Sequence, residues 1–258
     1  MTVLVAPAFA RRRLLALFAF QIELARTRET IREPHMGLIR LQWWRDALAE
    51  ARAGAPRRHP VVLELAPSLV DGTLPLDDLT GLVDARERDI DDSPPESLAA
   101  LESYASATSG ALAILALRVL GETRADAAGA ARAVGTAWAL TGLLRAAPFH
   151  AAVRRCYLPA DLIDAQNLDL ESWFAGRAGA AAAPIVAAVA ARAGTTLAQA
   201  AREAVPRNGF AAVAPAVLVP AHLRRLARAA HDVFDARFQR PLPSAALRLW
   251  LASWTGRW

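Results

Sequence analysis

Apolar residues recur at helical spacing along almost the whole chain. This spacing places them on one face of an α-helix, whereas a half-buried strand needs strict alternation, and no convincing alternating stretch of useful length occurs. The chain is therefore predicted to be all-α. The predicted helices span residues 8–33, 35–53, 58–70, 75–90, 96–120, 124–146, 159–164, 169–175, 179–204, 219–230 and 244–257.

Proline and glycine guide the predicted helix ends and packing. Pro148 is expected to end the helix that begins near residue 124, because a proline inside a helix removes a hydrogen bond. In the same helix, Gly129, Gly135 and Gly142 would each cost about 1 kcal/mol relative to Ala if exposed. We expect the close approach of another helix to offset that cost, which would make this helix central and buried.

Length and composition favour one domain over residues 1–258. The 258 residues are 54% hydrophobic, enough for one sizeable core, and no linker divides them. Residues 64–102 hold eleven acidic residues and two Arg, whereas residues 192–258 hold ten Arg and three acidic residues. The basic end could meet anionic lipid, an acidic protein surface or nucleic acid. Nucleic acid is the least favoured, because no recognition motif for it is present.

The cysteine content and the N-terminus bear on the compartment. The single cysteine, Cys156, excludes an intrachain disulfide and fits a reducing environment. The N-terminal basic cluster follows the apolar run, which is the reverse of a secretory signal. The longest uncharged stretches, 178–191 and 208–221, are shorter than the roughly 20 residues of a membrane-spanning helix. We expect a cytoplasmic protein that is soluble or rests on a membrane surface.

Three segments carry a family resemblance: LALFAFQIELARTRETIREP at 15–34, LESYASATSGALAILAL at 101–117, and AVGTAWALTGLLRAAPFHAAVRRCYLP at 133–159. Together they resemble the squalene/phytoene synthase family of head-to-head prenyltransferases. Tyr104, Arg145 and the YLP at 157–159 match the family's landmarks in order. The resemblance covers roughly residues 10–165, and it implies the isoprenoid synthase fold, a helical bundle around a central cavity.

The same resemblance raises a question about activity. Family members hold prenyl diphosphate through magnesium ions bound by two aspartate-rich motifs on facing helices, and Mg²⁺ requires hard oxygen ligands. One carboxylate remains among the six corresponding positions, which are Ala25, Arg26, Glu29, Ala146, Phe149 and His150. The resemblance therefore implies that the metal-diphosphate machinery is lost. We expect no catalytic residue, no bound metal and no cofactor.

Two longer stretches, FQIELARTRETIREPHMGLIRLQWWRDAL at 20–48 and LLRAAPFHAAVRRCYLPADLI at 143–163, narrow the resemblance. They are similar to the non-catalytic branch represented by the assembly factor 6 of complex I (NADH dehydrogenase). This branch implies a pseudoenzyme that lies peripherally at the cytoplasmic face of the inner membrane. Its implied partners are a complex I subunit or assembly intermediate and that membrane surface, with a lipid or isoprenoid as a further ligand. Two alternatives remain open: an active prenyltransferase with an altered metal site, and a lipid-surface binding protein.

Several polar residues are candidates for the cavity or for anion binding. Glu29 and Glu33 could form half of a metal site or could pair with neighbouring Arg side chains. The basic residues after position 144 could bind a phosphate through charge-assisted hydrogen bonds, or could be ordinary basic residues near a helix C-terminus. The full set is Glu23, Glu29, Glu33, Tyr104, Arg145, His150, Arg154 and Arg155.

Tryptophan positions suggest a contact surface. Trp43 and Trp44 are adjacent and cannot share a helix face, so we expect one in the core and the other at a cavity or partner contact. Trp250, Trp254 and Trp258 recur at every fourth position and form one helical stripe. That stripe either packs into the core or contacts a membrane or a partner.

Overall fold

The computed structural model describes residues 2–30, 33–200 and 205–255. These residues form helices joined by short turns, and no β-strand occurs within the described ranges. The all-α prediction is confirmed. The α-helices are α1 (Ala8–Thr30), α2 (Pro34–Arg52), α3 (Pro60–Val70), α4 (Leu76–Asp84), α5 (Leu98–Ala105), α6 (Ala111–Val119), α7 (Ala125–Ala152), α8 (Ala160–Ala165), α9 (Leu170–Phe174), α10 (Gly179–Ala200), α11 (Phe210–Val213), α12 (Val219–Arg228), α13 (Ala236–Gln239) and α14 (Ala245–Thr255).

The helix predicted over 96–120 is not uniform. A π-helical turn, Ser106–Gly110, joins α5 to α6. Such a turn widens the helix locally, so α5 and α6 remain one continuous helical segment. The helix predicted over 75–90 is divided into α4 and the 3₁₀ turn Glu87–Ile90. Short helices that the apolar pattern did not predict also occur, namely α11, α13 and the 3₁₀ turns Thr2–Val5, Arg207–Gly209 and Ala214–Val217.

Pro148 does not end α7, so that prediction was wrong. The helix continues to Ala152 with Pro148 inside it. A proline removes one intrahelical hydrogen bond, but Leu144, Ala147 and Ala151 around it are buried. Packing of these residues stabilises the last turns, because tertiary burial contributes more to helix stability than local propensity does.

Helix α7 is the central helix of the bundle. Its first half, with Val134, joins a buried cluster that contains Phe20 and Trp44 from α1 and α2. Its second half, with Leu140, joins another cluster built around Trp173 and packed against α10 and α12. The prediction of a central, buried helix is confirmed, because both apolar clusters include residues of α7.

One glycine of α7 lies directly on a neighbouring backbone. A Cβ added at Gly135 would lie 2.2 Å from the carbonyl oxygen of Ser109 in the π turn, so only glycine permits this crossing. The predicted close approach is confirmed at Gly135. It is wrong for Gly129, which is exposed, and for Gly142, where an added Cβ would meet nothing within 4 Å.

Three helical runs have the length and apolar composition of a membrane-spanning helix: Leu98–Val119, Gly179–Ala200 and Arg207–Arg228. This differs from the expectation drawn from uncharged stretches. Leu98–Val119 contains two charged residues, Gly179–Ala200 contains one, and Arg207–Arg228 contains four Arg. The first two runs pack against α7 within the bundle.

Candidate functional site

A cavity of about 590 Å³ lies beside the middle of α7. Its walls are α1, the π turn with α6, α7, the segment 211–218, α12, residues 241–242 and the start of α14. Most of the lining side chains are apolar. Gln21, Ser109, Arg145 and His222 supply the polar groups, so a mainly apolar pocket carries a few polar side chains, the usual composition of a ligand site.

Arg145 of α7 reaches this cavity without an acidic neighbour. No ion pair or hydrogen bond to its guanidinium occurs among the described residues. Desolvation, and then the positive charge of Arg225, lower the pKa of Arg145 from its ordinary value. Arg225 itself donates to the carbonyl oxygens of Arg240 and Pro241, at 2.7 and 3.2 Å. The cavity wall is therefore electropositive at this point.

His222 of α12 adds a second polar group to the same wall. It is 4% exposed, and its Nδ1 has no hydrogen-bond partner among the described residues. Desolvation, followed by the charges of Arg145 and Arg225, lowers its pKa to about 4, so the ring is neutral near pH 7. Gln21 Oε1, on α1, is likewise buried and without a partner in the described part of the chain.

The described residues at the positions of the two aspartate-rich motifs do not form a magnesium site. Ala25 and Ala146 carry methyl groups, Arg26 is exposed, and Phe149 presents an exposed phenyl ring. The Glu29 side chain lies outside the described part of the structure. Within the described ranges, no group of three or more His, Cys, Asp or Glu side chains is arranged to hold a metal ion. This donor set does not fit a cation cluster.

Two of the candidate carboxylates are placed by the structure. Glu23 accepts a hydrogen bond from Arg40 of α2 at 3.1 Å. Glu33 is exposed, and its carboxylate lies 3.4 Å from Nε2 of His35. Neither residue lines the cavity beside α7, so their role as cavity residues stays a prediction without support from the lining.

Tyr104 and Arg155 meet at a residue that the sequence pattern did not single out. Asp89 is 6% exposed and accepts hydrogen bonds from Arg86 at 2.9 Å, Tyr104 at 2.7 Å and Tyr157 at 3.0 Å. Arg155 lies 3.8 Å from the same carboxylate and also donates to the Asp89 backbone carbonyl. No sequence signal pointed to Asp89, because it sits among eleven acidic residues of one segment.

The structure does not gather the four predicted basic residues into one anion site. Arg154 is exposed and pairs with Glu171 at 2.5 Å, and Arg155 is occupied by Asp89. His150 packs its ring against Tyr157, with centroids 4.8 Å apart. Desolvation, and then the charge of Arg155, lowers the His150 pKa to about 4. Only Arg145 of this set lines the apolar cavity.

The adjacent residues Trp43 and Trp44 lie in different environments. Trp44 is fully buried, as expected for one member of the adjacent pair. Trp43 lines a second, more open cavity of about 330 Å³ with Ile39 and His59, so the prediction of one core and one cavity residue is confirmed.

The C-terminal stripe lies on the surface. Trp250 and Trp254 are 51% and 66% exposed, with ring centroids 5.2 Å apart, so the core-packing alternative is wrong. Trp258 lies outside the described residues. The buried side of α14 is instead formed by Ala245, Leu249 and Ala252.

The chain is similar in sequence to a known protein family and to several of its relatives. The family model described as squalene/phytoene synthase matches residues 1–246. The chain is 30% identical over 254 residues to the NADH dehydrogenase (ubiquinone) complex I assembly factor 6 of Mus musculus, covering 98% of this chain and 76% of that protein. It is 32% identical over 124 residues to the presqualene diphosphate synthase of Rhodopseudomonas palustris, covering 48% of this chain and 44% of that one.

A solved structure has the same fold. The squalene synthase HpnC from Alicyclobacillus acidocaldarius superposes with a TM-score of 0.79 at 19% identity, over 90% of this chain and 88% of that one. The expectation of an isoprenoid synthase-like helical bundle is confirmed.

Proposed function

The chain belongs to the squalene/phytoene synthase family, and from that premise we propose that it is a non-catalytic member that helps to assemble respiratory complex I. The observation that carries the proposal is the loss of carboxylates at the motif positions in a chain that resembles a complex I assembly factor over 98% of its length. Its partner would be a subunit or an assembly intermediate of that complex.

The side chains explain why the family reaction is not expected. Ionisation of an allylic diphosphate leaves negative charge on the departing group, and metal ions normally stabilise it. The described side chains at the motif positions bear methyl, phenyl, imidazole or guanidinium groups. Methyl, phenyl and guanidinium groups cannot ligate magnesium, imidazole does not supply the hard oxygen that Mg²⁺ prefers, and Arg26 opposes a cation electrostatically.

Deletion and complementation test the assembly role. We expect deletion of the gene to lower the amount of intact complex I on native gels, while carotenoid and hopanoid levels stay unchanged. Reintroducing the wild-type gene should restore complex I. Normal complex I in the deletion strain would refute the proposal.

An active prenyltransferase is the second candidate, favoured by the similarity to presqualene diphosphate synthase over 48% of the chain. Incubation of purified protein with farnesyl or geranylgeranyl diphosphate and Mg²⁺ separates the two candidates. We expect no product. Turnover would replace the first candidate with the second.

We further propose that α14 places the protein on an anionic membrane surface. Its outward stripe is Leu247, Trp250, Leu251 and Trp254, all exposed, at spacings i, i+3, i+4 and i+7. The helix contains no acidic residue, and Arg248 lies beside the stripe. Trp and Arg together favour the headgroup region of a bilayer.

Flotation with liposomes tests this contact. The wild-type chain should float with vesicles of phosphatidylglycerol and phosphatidylcholine, and less with phosphatidylcholine alone. The double variant Trp250→Ser, Trp254→Ser should stay at the bottom. Leu63→Ser, which removes an exposed apolar residue of α3, is the matched control and should float like the wild type. Equal flotation of all three proteins would reject α14 as the contact.

A further inference from the structure

The cavity beside α7 combines an apolar body with an electropositive end. Its volume of about 590 Å³ is within the roughly 300–1,000 Å³ typical of small-molecule pockets. Phe18, Leu112 and Leu249 contribute apolar surface from three different helices. A ligand that fills this space must therefore be largely hydrocarbon.

No acidic side chain occurs among the described residues that line the cavity. Arg145 and Arg225 both add positive potential there, since each of them lowers the His222 pKa and Arg225 also lowers that of Arg145. The causes of these shifts include no carboxylate. A desolvated guanidinium without a counter-charge is costly. An anion bound between Arg145 and His222 would supply the missing charge.

The number of positive groups limits the charge of that anion. Arg145 contributes one charge, and His222 can contribute a second if it takes up a proton on binding. A phosphate monoester carries about −1.5 to −2 near pH 7, and a diphosphate carries more. One arginine and one histidine thus match a carboxylate or a single phosphate, whereas a diphosphate would need a cation cluster, and the described residues hold no group of donors for one.

We propose that this cavity binds a single-chain amphiphile whose head is one carboxylate or one phosphate monoester, held directly by Arg145 and His222 without a metal ion. Gln21, whose buried Oε1 has no partner in the described part of the chain, can accept a hydrogen bond from a hydroxyl of the ligand or from a protonated head. This binding mode rests on the non-catalytic role proposed above, since an active synthase would hold a diphosphate through metal ions.

The position of α14 connects the cavity to the surface stripe. Ala245 and Leu249 line the cavity, while Trp250 and Trp254 on the opposite side of the same helix are exposed. One helix therefore separates the apolar pocket from the surface proposed to meet the membrane. This arrangement favours an amphiphile drawn from the bilayer as the occupant.

Matched ligands with one chain and different heads test the site. Purified full-length protein is equilibrated by dialysis with laurate, dodecyl phosphate, dodecanol or farnesyl diphosphate, each below its critical micelle concentration and without Mg²⁺. We expect saturable one-to-one binding of laurate or dodecyl phosphate, and roughly 10- to 100-fold weaker binding of dodecanol, because a hydrogen bond to a charged group is lost. The ratio between laurate and dodecyl phosphate distinguishes a fatty acid from a lipid phosphate as the source.

Variants separate the head contact from general hydrophobic binding. Arg145→Gln should weaken binding of the preferred anion by roughly 10- to 100-fold and leave dodecanol binding unchanged. Arg145→Lys, which keeps the charge, should retain part of the affinity. Arg154→Gln is the control, because Arg154 is exposed and pairs with Glu171 outside the cavity.

The stability of Arg145→Gln provides a second readout. Removing an unpaired, half-buried guanidinium should not lower the melting temperature of the ligand-free protein, so loss of binding would not reflect unfolding. Absence of saturable binding, equal affinity for dodecanol and the anions, or unchanged anion binding by both Arg145→Gln and His222→Asn would overturn the proposal. These binding assays contain no complex I, so a negative result would not refute the assembly role. Normal complex I in a deletion strain would refute the assembly role but not a measured binding site.

Discussion

Replacing Gly135 by alanine is the sharpest test of how the bundle is packed. The added Cβ would lie 2.2 Å from the carbonyl oxygen of Ser109, 2.7 Å from its carbonyl carbon and 2.9 Å from Cα of Gly110. All three are backbone atoms of the π turn and cannot rotate away. Since non-bonded carbon atoms prefer about 3.5 Å, α7 and the π turn must separate by roughly 1 Å.

The expected cost follows from two opposing terms. Alanine in place of glycine stabilises a helix interior by about 1 kcal/mol, whereas overpacking of a well-packed contact costs about 1–3 kcal/mol and occasionally more. Because the clash is with backbone atoms at this short distance, the overpacking cost lies at the upper end of its range, and the net loss in the free energy of unfolding is about 2 kcal/mol. For a chain of this size, each kcal/mol shifts the melting temperature by about 2 °C, so Gly135→Ala should melt about 4 °C lower.

Gly142→Ala supplies the control on the same helix. An alanine Cβ there meets nothing within 4 Å, so only the propensity term remains and the melting temperature should rise by about 2 °C. Circular dichroism melts of the three proteins measure both shifts. If Gly135→Ala melted at or above the temperature of Gly142→Ala, the backbone contact between α7 and the π turn would be wrong.

Three further predictions concern buried groups. Asp89→Asn should destabilise the fold by about 3–5 kcal/mol in urea titrations, because it leaves Arg86 buried without its charge partner. The control, Asp164→Asn at an exposed site, should have little effect. Similar urea midpoints for the two variants would contradict the Asp89 network. His222 has a folded pKa of about 4, below its unfolded value, so it contributes stability above the unfolded pKa near 6.5 that is lost as pH falls towards 4. His222→Asn should therefore flatten the decline in stability between pH 7 and 5, and an unchanged pH profile would exclude this contribution. Burial raises the Cys156 pKa to about 11, so iodoacetamide should modify the thiol slowly in the native protein and quickly in urea, and rapid native labelling would show that the thiol is not enclosed.

The local pattern of apolar residues and helix breakers predicts much of the fold. The spacing of apolar residues predicted an all-helical chain, and most helix ends lie within a few residues of their predicted positions because period and breakers are properties of neighbouring residues. Pro148 is an instructive exception. Its neighbours Leu144 and Ala151 are buried by distant helices, and that tertiary packing overrides the local signal.

The tryptophan stripe is identified by residue type and spacing alone, and the missing carboxylates are identified by the resemblance of this chain to its family. The sequence did not identify the cavity's polar end. Arg145 was proposed as a partner of His150, Arg154 and Arg155, its neighbours in sequence, but the fold turns those side chains towards Asp89, Glu171 and Tyr157.

No ligand spacing marks His222 in the sequence, yet α12 brings it to the same cavity wall as Arg145. Residue identity along the chain thus determined the helices, the family and the replacement of five of the six motif carboxylates. Which charges meet, and which remain without a partner in the described structure, was decided only when α7 and α12 packed around a shared cavity. Electrostatic pairing depends on distance in space, and distance in sequence does not determine it.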